Sequence, residues 1–124
     1  MGVSARAALW MPPLALMALI FVLSAQPNLS SGLGLIDLVG RKIVHMAEFG
    51  GLCFLWWRAL RTVVGRRGAL AAAVAIALTY AASDEFHQSF VPGRSGSPLD
   101  VLIDAVGIAV AAALISRRSG AAVR

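Results

Sequence analysis

The side chains able to do chemistry in this 124-residue chain are few, and they fall in three short stretches. Arg41, His45 and Glu48 stand at i, i+4 and i+7, one face of a helix, with Lys42 beside them. Asp84 shares a helical face with His87 and Gln88. Glu85 follows it directly, and adjacent helical residues do not face the same way, so at most one of the two carboxylates points at a given site. Arg94 lies in a Pro- and Gly-rich segment, and Asp100 and Asp104 follow it four residues apart. Guanidinium and ammonium groups suit phosphate and carboxylate ligands. His45 or a carboxylate could carry a proton. His45, Glu48, Glu85, His87 and Asp104 are also acceptable zinc-ligand types. The chain has no His-Glu-x-x-His pair and a single cysteine, Cys53, so no metal and no other cofactor is expected. Ser24, Ser83, Ser95 and Ser97 lack a nucleophile-elbow context.

The same residues have structural readings. Lys42, His45 and Glu48 could be a charge ladder along one helix. Arg41-Lys42 and Asp84-Glu85 each sit at the electrostatically wrong end of a helix, so they could neutralise each other across an interface. Asp37 reads as a cap of the second helix. Ser97 as N-cap, Pro98 at N1 and Asp100 at N3 read as a capping-box-like start to the fourth.

Four apolar runs must position these groups: Ala7 to Ala25, Val39 to Leu60, Ala69 to Phe86 and Leu99 to Ile115. Each approaches the roughly 20 residues a helix needs to cross hydrocarbon. With 59% of residues hydrophobic and only 14% charged, the chain has too little polar surface to cover a soluble core. The expected fold is therefore an all-α membrane protein, a single domain over 1–124. Its four transmembrane helices lie at about 7–25, 39–60, 69–90 and 98–116. Pro12-Pro13 predicts that the regular part of the first helix begins there, with Trp10 at the interface. Leu23 is too large for a good cleavage site before Gln26, so the first run reads as a retained helix.

Of the 11 basic residues, Arg6, Arg58, Arg61, Arg66, Arg67, Arg117, Arg118 and Arg124 fall on one side of such a bundle. Arg41, Lys42 and Arg94 fall on the other, which predicts both termini in the cytoplasm. The net charge of +5 follows this collar and forms no basic stripe with interleaved aromatics, so nucleic acid is not expected as a partner. Every acidic residue and both histidines fall at the outer level. An ionisable side chain at mid-bilayer costs about 2.5–3.5 kcal/mol, so these groups are expected to face the bundle interior. Trp10, Trp56 and Trp57 read as an inner interfacial belt, and Gly50, Gly51, Gly107 and the third helix's alanines as close-packing positions.

Three strings resemble the VanZ-like membrane proteins. They are Phe-Val-Leu-Ser-Ala-Gln-Pro at Phe21 to Pro27, Lys42-x-x-His45-x-x-Glu48-Phe49, and Asp84-Glu85-x-x-Gln88-x-Phe90-x-Pro92-Gly93-Arg94-Ser95-Gly96-x-x-x-Asp100-Val101, the last followed by Asp104 and Gly107. The resemblance spans most of the chain. It implies a multi-pass cell-envelope protein of the cell membrane and an association with modest resistance to the glycopeptide teicoplanin; it implies no reaction.

The candidate polar cluster is Lys42, His45, Glu48, Asp84, Glu85, Gln88, Arg94, Asp100 and Asp104. Its expected role is to bind an anionic extracytoplasmic group, with membrane lipids, polyprenyl-phosphate or a peptidoglycan precursor as partners. The alternatives are an enzyme acting on that group and a structural subunit whose charges only hold its helices together. A homo-oligomer is compatible with so small a bundle.

Overall fold

The computed structural model describes residues 2–25, 34–91 and 98–123, except the side chains of 38 and 119–123. These residues form four helices: α1 (Val3–Ser24), α2 (Leu35–Leu60), α3 (Arg66–Gln88) and α4 (Pro98–Val123). The α2–α3 connection is one tight turn, with Val63 and Val64 donating to the Leu60 carbonyl, and it forces the two helices antiparallel. Partners across the bundle fix the remaining directions. Tyr80 meets Met17 and Gln88 meets Ser24, so α3 runs parallel to α1. Lys42 meets Asp100 and His45 meets Asp104, so α4 runs parallel to α2. The result is an up-down-up-down bundle. Its polar end holds the end of α1, the start of α2, the end of α3 and the start of α4.

Helix α2 is the central element. It packs on α1, α3 and α4, whereas α1 and α4 do not touch among the described residues. Three helices are long and apolar enough to cross a membrane: α1, α3, and α4 over Pro98–Arg118. The sequence reading expected four such helices. α2 falls short because it carries five charged residues, Asp37, Arg41, Lys42, Glu48 and Arg58. Its position among the other three explains how it tolerates them, since its polar face meets protein.

Large apolar side chains cover the outside of the bundle as well as its core, where Ile20, Phe49, Leu52 and Ile108 are buried. Ala69, Ala73, Ala77 and Ala81 form a fully buried ridge along α3 at four-residue spacing. Leu14, Leu19, Ile43, Val44, Leu78, Leu102, Val106 and Leu114 point outward. A ridge of small residues at a helix contact and large apolar residues outside are what helices packed in lipid require. The closest approach is between α2 and α4. A Cβ on Gly107 would lie 2.3 Å from the Met46 carbonyl oxygen, and one on Gly50 would lie 2.9 Å from the Gly107 carbonyl oxygen. Gly51 has only an ordinary contact, 3.9 Å from Leu16 Cδ2, so close packing explains Gly50 and Gly107 but not Gly51. Cys53 is buried in the core beside Phe49 and Leu52.

The start of α1 differs from expectation. The helix runs unbroken from Val3 with Pro12 and Pro13 inside it. A proline at position 12 has no N–H to offer the carbonyl four residues earlier, that of Ala8. Arg58 of α2 supplies the missing donor, its Nη2 lying 3.0 Å from the Ala8 oxygen. A neighbouring helix thus satisfies the group the proline frees, and the helix extends through it. Around this end, Trp10 meets Trp56 edge-to-face at 6.1 Å, and the Arg61 guanidinium lies 4.7 Å above the Trp57 ring. The three tryptophans share one level.

Candidate functional site

The polar end is built in two layers. The outer layer joins α2 to α4. Lys42 Nζ donates to Asp100 Oδ1 at 3.0 Å, and both side chains remain about a third exposed. One turn further into the bundle, His45 Nδ1 lies 3.2 Å from Asp104 Oδ1. The His45 side chain is 19% exposed and Asp104 is fully enclosed. The spacing of the sequence produces this stacking: three residues on α2 and four on α4 each advance about one turn, so two rungs form between parallel helices.

Helix α3 adds the other buried groups. Asp84, Glu85 and Gln88 are all at least 95% buried. The two adjacent acids go to different places, as helical geometry demands. Gln88 Nε2 donates to Asp84 Oδ2 at 3.0 Å and to Ser24 Oγ of α1 at 3.3 Å, which ties α3 to α1. Glu85 turns toward the α2–α4 rungs. One ligand atom each of His45, Glu85 and Asp104 lies within 4.8 Å of the other two. Both acids can be buried because α3 contacts α1 on one flank and α2 and α4 on another. His87 leaves this cluster and stacks on Phe21 of α1, with ring centroids 4.6 Å apart. Glu48 is partly buried on α2, one turn beyond His45.

Three structural readings of the sequence are corrected here. Asp84 and Glu85 are not the counter-ions of Arg41 and Lys42. Lys42 pairs with Asp100, and Arg41 Nε turns back to the Asp37 carbonyl at 3.4 Å. The reason is register, since Asp100 of the parallel α4 stands level with Lys42. The Asp100 carboxylate accepts from Lys42 rather than only starting its own helix, while Ser97 lies outside the described residues. Asp37 is not the N-cap of α2. That position is Gly34, whose φ of 56° suits glycine, and it makes no side-chain cap. Asp37 lies in the first turn, where its charge meets the positive helix end. Arg94, a candidate anion ligand, lies outside the described residues.

Two contributors escaped the sequence reading. The sequence offers Ser24 as a hydroxyl without a nucleophile-elbow context, yet it is the α1 partner of Gln88. The available signal was its place four residues after the buried Ile20, on the same face of α1. Tyr80 donates its hydroxyl to the Met17 carbonyl and locks α3 against α1 below the polar layer. It is the one tyrosine in the chain, set in an alanine-rich helix, and nothing local marks its partner. At the opposite end, an apolar groove between α2 and α4, lined by Phe54, Trp57, Leu114 and Arg118, contains none of the candidate residues.

Chemically, the inner layer offers an imidazole, carboxylates and an amide in an enclosed setting. The outer layer offers an ammonium group open to one side. The sequence model of the VanZ/LLP1 family matches residues 9–119. No curated protein and no solved structure matches the chain.

Proposed function

The chain belongs to the VanZ/LLP1 family of membrane proteins, and from that premise we propose that it is a four-span protein of the cell envelope with both termini in the cytoplasm. In this reading α2 is the fourth crossing, shielded by the other helices, and the polar end faces outward. The site there takes an anionic headgroup: a lipid phosphate such as polyprenyl-phosphate, or the carboxylate of a peptidoglycan precursor. Engagement of such a precursor would connect the protein to teicoplanin susceptibility.

The observation that carries this reading is the Lys42–Asp100 pair, about a third exposed, above an enclosed polar layer. A charge held by one exposed carboxylate can be claimed by an arriving anion, because exposed pairs are weakly bound. Arg94, from the segment between α3 and α4, is the second cation of the proposal, and guanidinium geometry suits phosphate oxygens. Binding of polyprenyl-phosphate to the detergent-purified protein tests it. Affinity is expected to fall at least tenfold in Lys42→Gln and in Arg94→Gln. Unchanged affinity in both variants, or no binding by the wild type, overturns it.

A second reading, an enzyme acting on the same class of group, draws on the His45–Asp104 pair. A carboxylate on one imidazole nitrogen orients the ring and leaves the other nitrogen to carry a proton. Turnover of a lipid-phosphate substrate that disappears in His45→Gln would favour it over simple binding.

A further inference from the structure

We propose that His45, Glu85 and Asp104 form a binding site for a divalent transition-metal ion of the Zn²⁺ class. No local ligand motif marks such a site, because its ligands come from three different helices. The fold brings them together.

Geometry is the first support. The three residues each present one ligand atom within 4.8 Å of the others. Two donors about 2.1 Å from a shared tetrahedral ion stand roughly 3.4 Å apart. His45 Nδ1 and Asp104 Oδ1, at 3.2 Å, already have that separation. Glu85 reaches the site on a longer, flexible side chain from α3.

The second support is independent of the clustering. Asp104 is fully enclosed, yet its other oxygen, Oδ2, has no hydrogen-bond partner among the described residues. Enclosed carboxylate oxygens are ordinarily satisfied, and one left without a donor is costly in a low-dielectric interior. A cation against Asp104 supplies what the protein does not. Lys42 does not serve this need, since it is engaged by Asp100 one turn outward.

Charge and ligand type indicate the ion's class. Glu85 and Asp104 together carry two negative charges, which a divalent ion balances while the imidazole binds in its neutral form. One nitrogen and two carboxylate oxygens suit Zn²⁺ or Mn²⁺ better than Ca²⁺, which prefers six to eight oxygens, or Cu(I), which prefers sulfur. Three protein ligands also leave a coordination position open. In the adjoining inner layer, the Asp84–Gln88–Ser24 chain is satisfied within itself and takes no part in the ion.

The test uses untagged full-length protein in detergent, stripped with chelator and titrated with Zn²⁺ in the absence of lipid. We expect one ion per chain. His45→Gln, Glu85→Gln and Asp104→Asn should each weaken binding at least tenfold, and Asp84→Asn should not. X-ray absorption of the Zn²⁺-loaded wild type should show a nitrogen/oxygen shell at about 2.0–2.1 Å with a single imidazole. This second readout needs no variant, so it decides the matter if Asp104→Asn does not fold. No stoichiometric Zn²⁺ on the wild type, sulfur or two imidazoles in the shell, or unchanged affinity in all three ligand variants overturns the proposal. Zn²⁺ binding is measured without lipid and polyprenyl-phosphate binding without added metal, so the metal site and the anion site can fail separately.

Discussion

Lys42 and Asp100 form the outer of two polar rungs between α2 and α4, their charges 3.0 Å apart, one turn above the enclosed His45–Asp104 pair. The rungs differ in exposure, and that difference sets their energies. With the Lys42 and Asp100 side chains 34% and 29% exposed, solvent screens the pair. A double-mutant cycle with Lys42→Ala and Asp100→Ala should give a coupling of about 0.2–1 kcal/mol in detergent unfolding. His45→Ala should cost about 3–5 kcal/mol, since it leaves the enclosed Asp104 carboxylate without its one side-chain partner among the described residues. Equal losses at the two rungs would contradict the layered description.

The α2–α4 contact should rank three glycine substitutions. Gly107→Ala drives a methyl into the Met46 backbone, which cannot swing aside, and should cost about 1–3 kcal/mol or more. Gly50→Ala meets the Gly107 carbonyl less severely. Gly40→Ala, with open space around it, should stabilise α2 by about 0.5–1 kcal/mol through helix propensity. Thermal unfolding of the three variants checks the order, and a harmless Gly107→Ala would mean the helices pack elsewhere.

Arg58 and Pro12 should be thermodynamically coupled. Arg58→Ala leaves the Ala8 carbonyl without its donor, a loss of about 0.5–1.5 kcal/mol for an exposed hydrogen bond. Pro12→Ala restores a main-chain N–H to that carbonyl. The double variant should therefore be more stable than Arg58→Ala alone. If the two losses simply add, the carbonyl is not what Arg58 serves.

The proposed orientation is read by cysteine accessibility in a Cys53→Ala background. Probes at Ser30, Ser31 and Ser95 should label from outside in intact cells. Probes at Gly65 and Ala122 should label only after permeabilisation. Labelling of Gly65 from outside would move the polar end to the cytoplasm.

Much of the architecture was readable in the sequence, and the gaps have physical causes. The α3 ridge is periodic at four residues from Ala69 to Ala81, and the next step lands on Glu85, so the burial of that acid follows from the alanines before it. The helix starts were less legible. Pro12 looks like a helix start until a second helix donates to Ala8, and a contact between positions 50 residues apart leaves no local trace. Pairing followed the same limit. Lys42, Asp84 and Asp100 were each recognisable as charges needing partners, but which acid Lys42 reaches depends on the parallel register of α2 and α4. The His45–Glu85–Asp104 grouping was hidden for that reason too, since three helices contribute one residue each.

The polarity of α2 has a consequence for how the protein is made. A ribosome delivers the helices in chain order, and α2 emerges second, carrying five charged residues. The acids that answer its Lys42 and His45, Asp100 and Asp104, are translated more than 50 residues later. Until α4 arrives, Lys42 and His45 lack these partners. Chains arrested before α4 should thus be targets of membrane quality control, and the two rungs between α2 and α4 form only once α4 has been made.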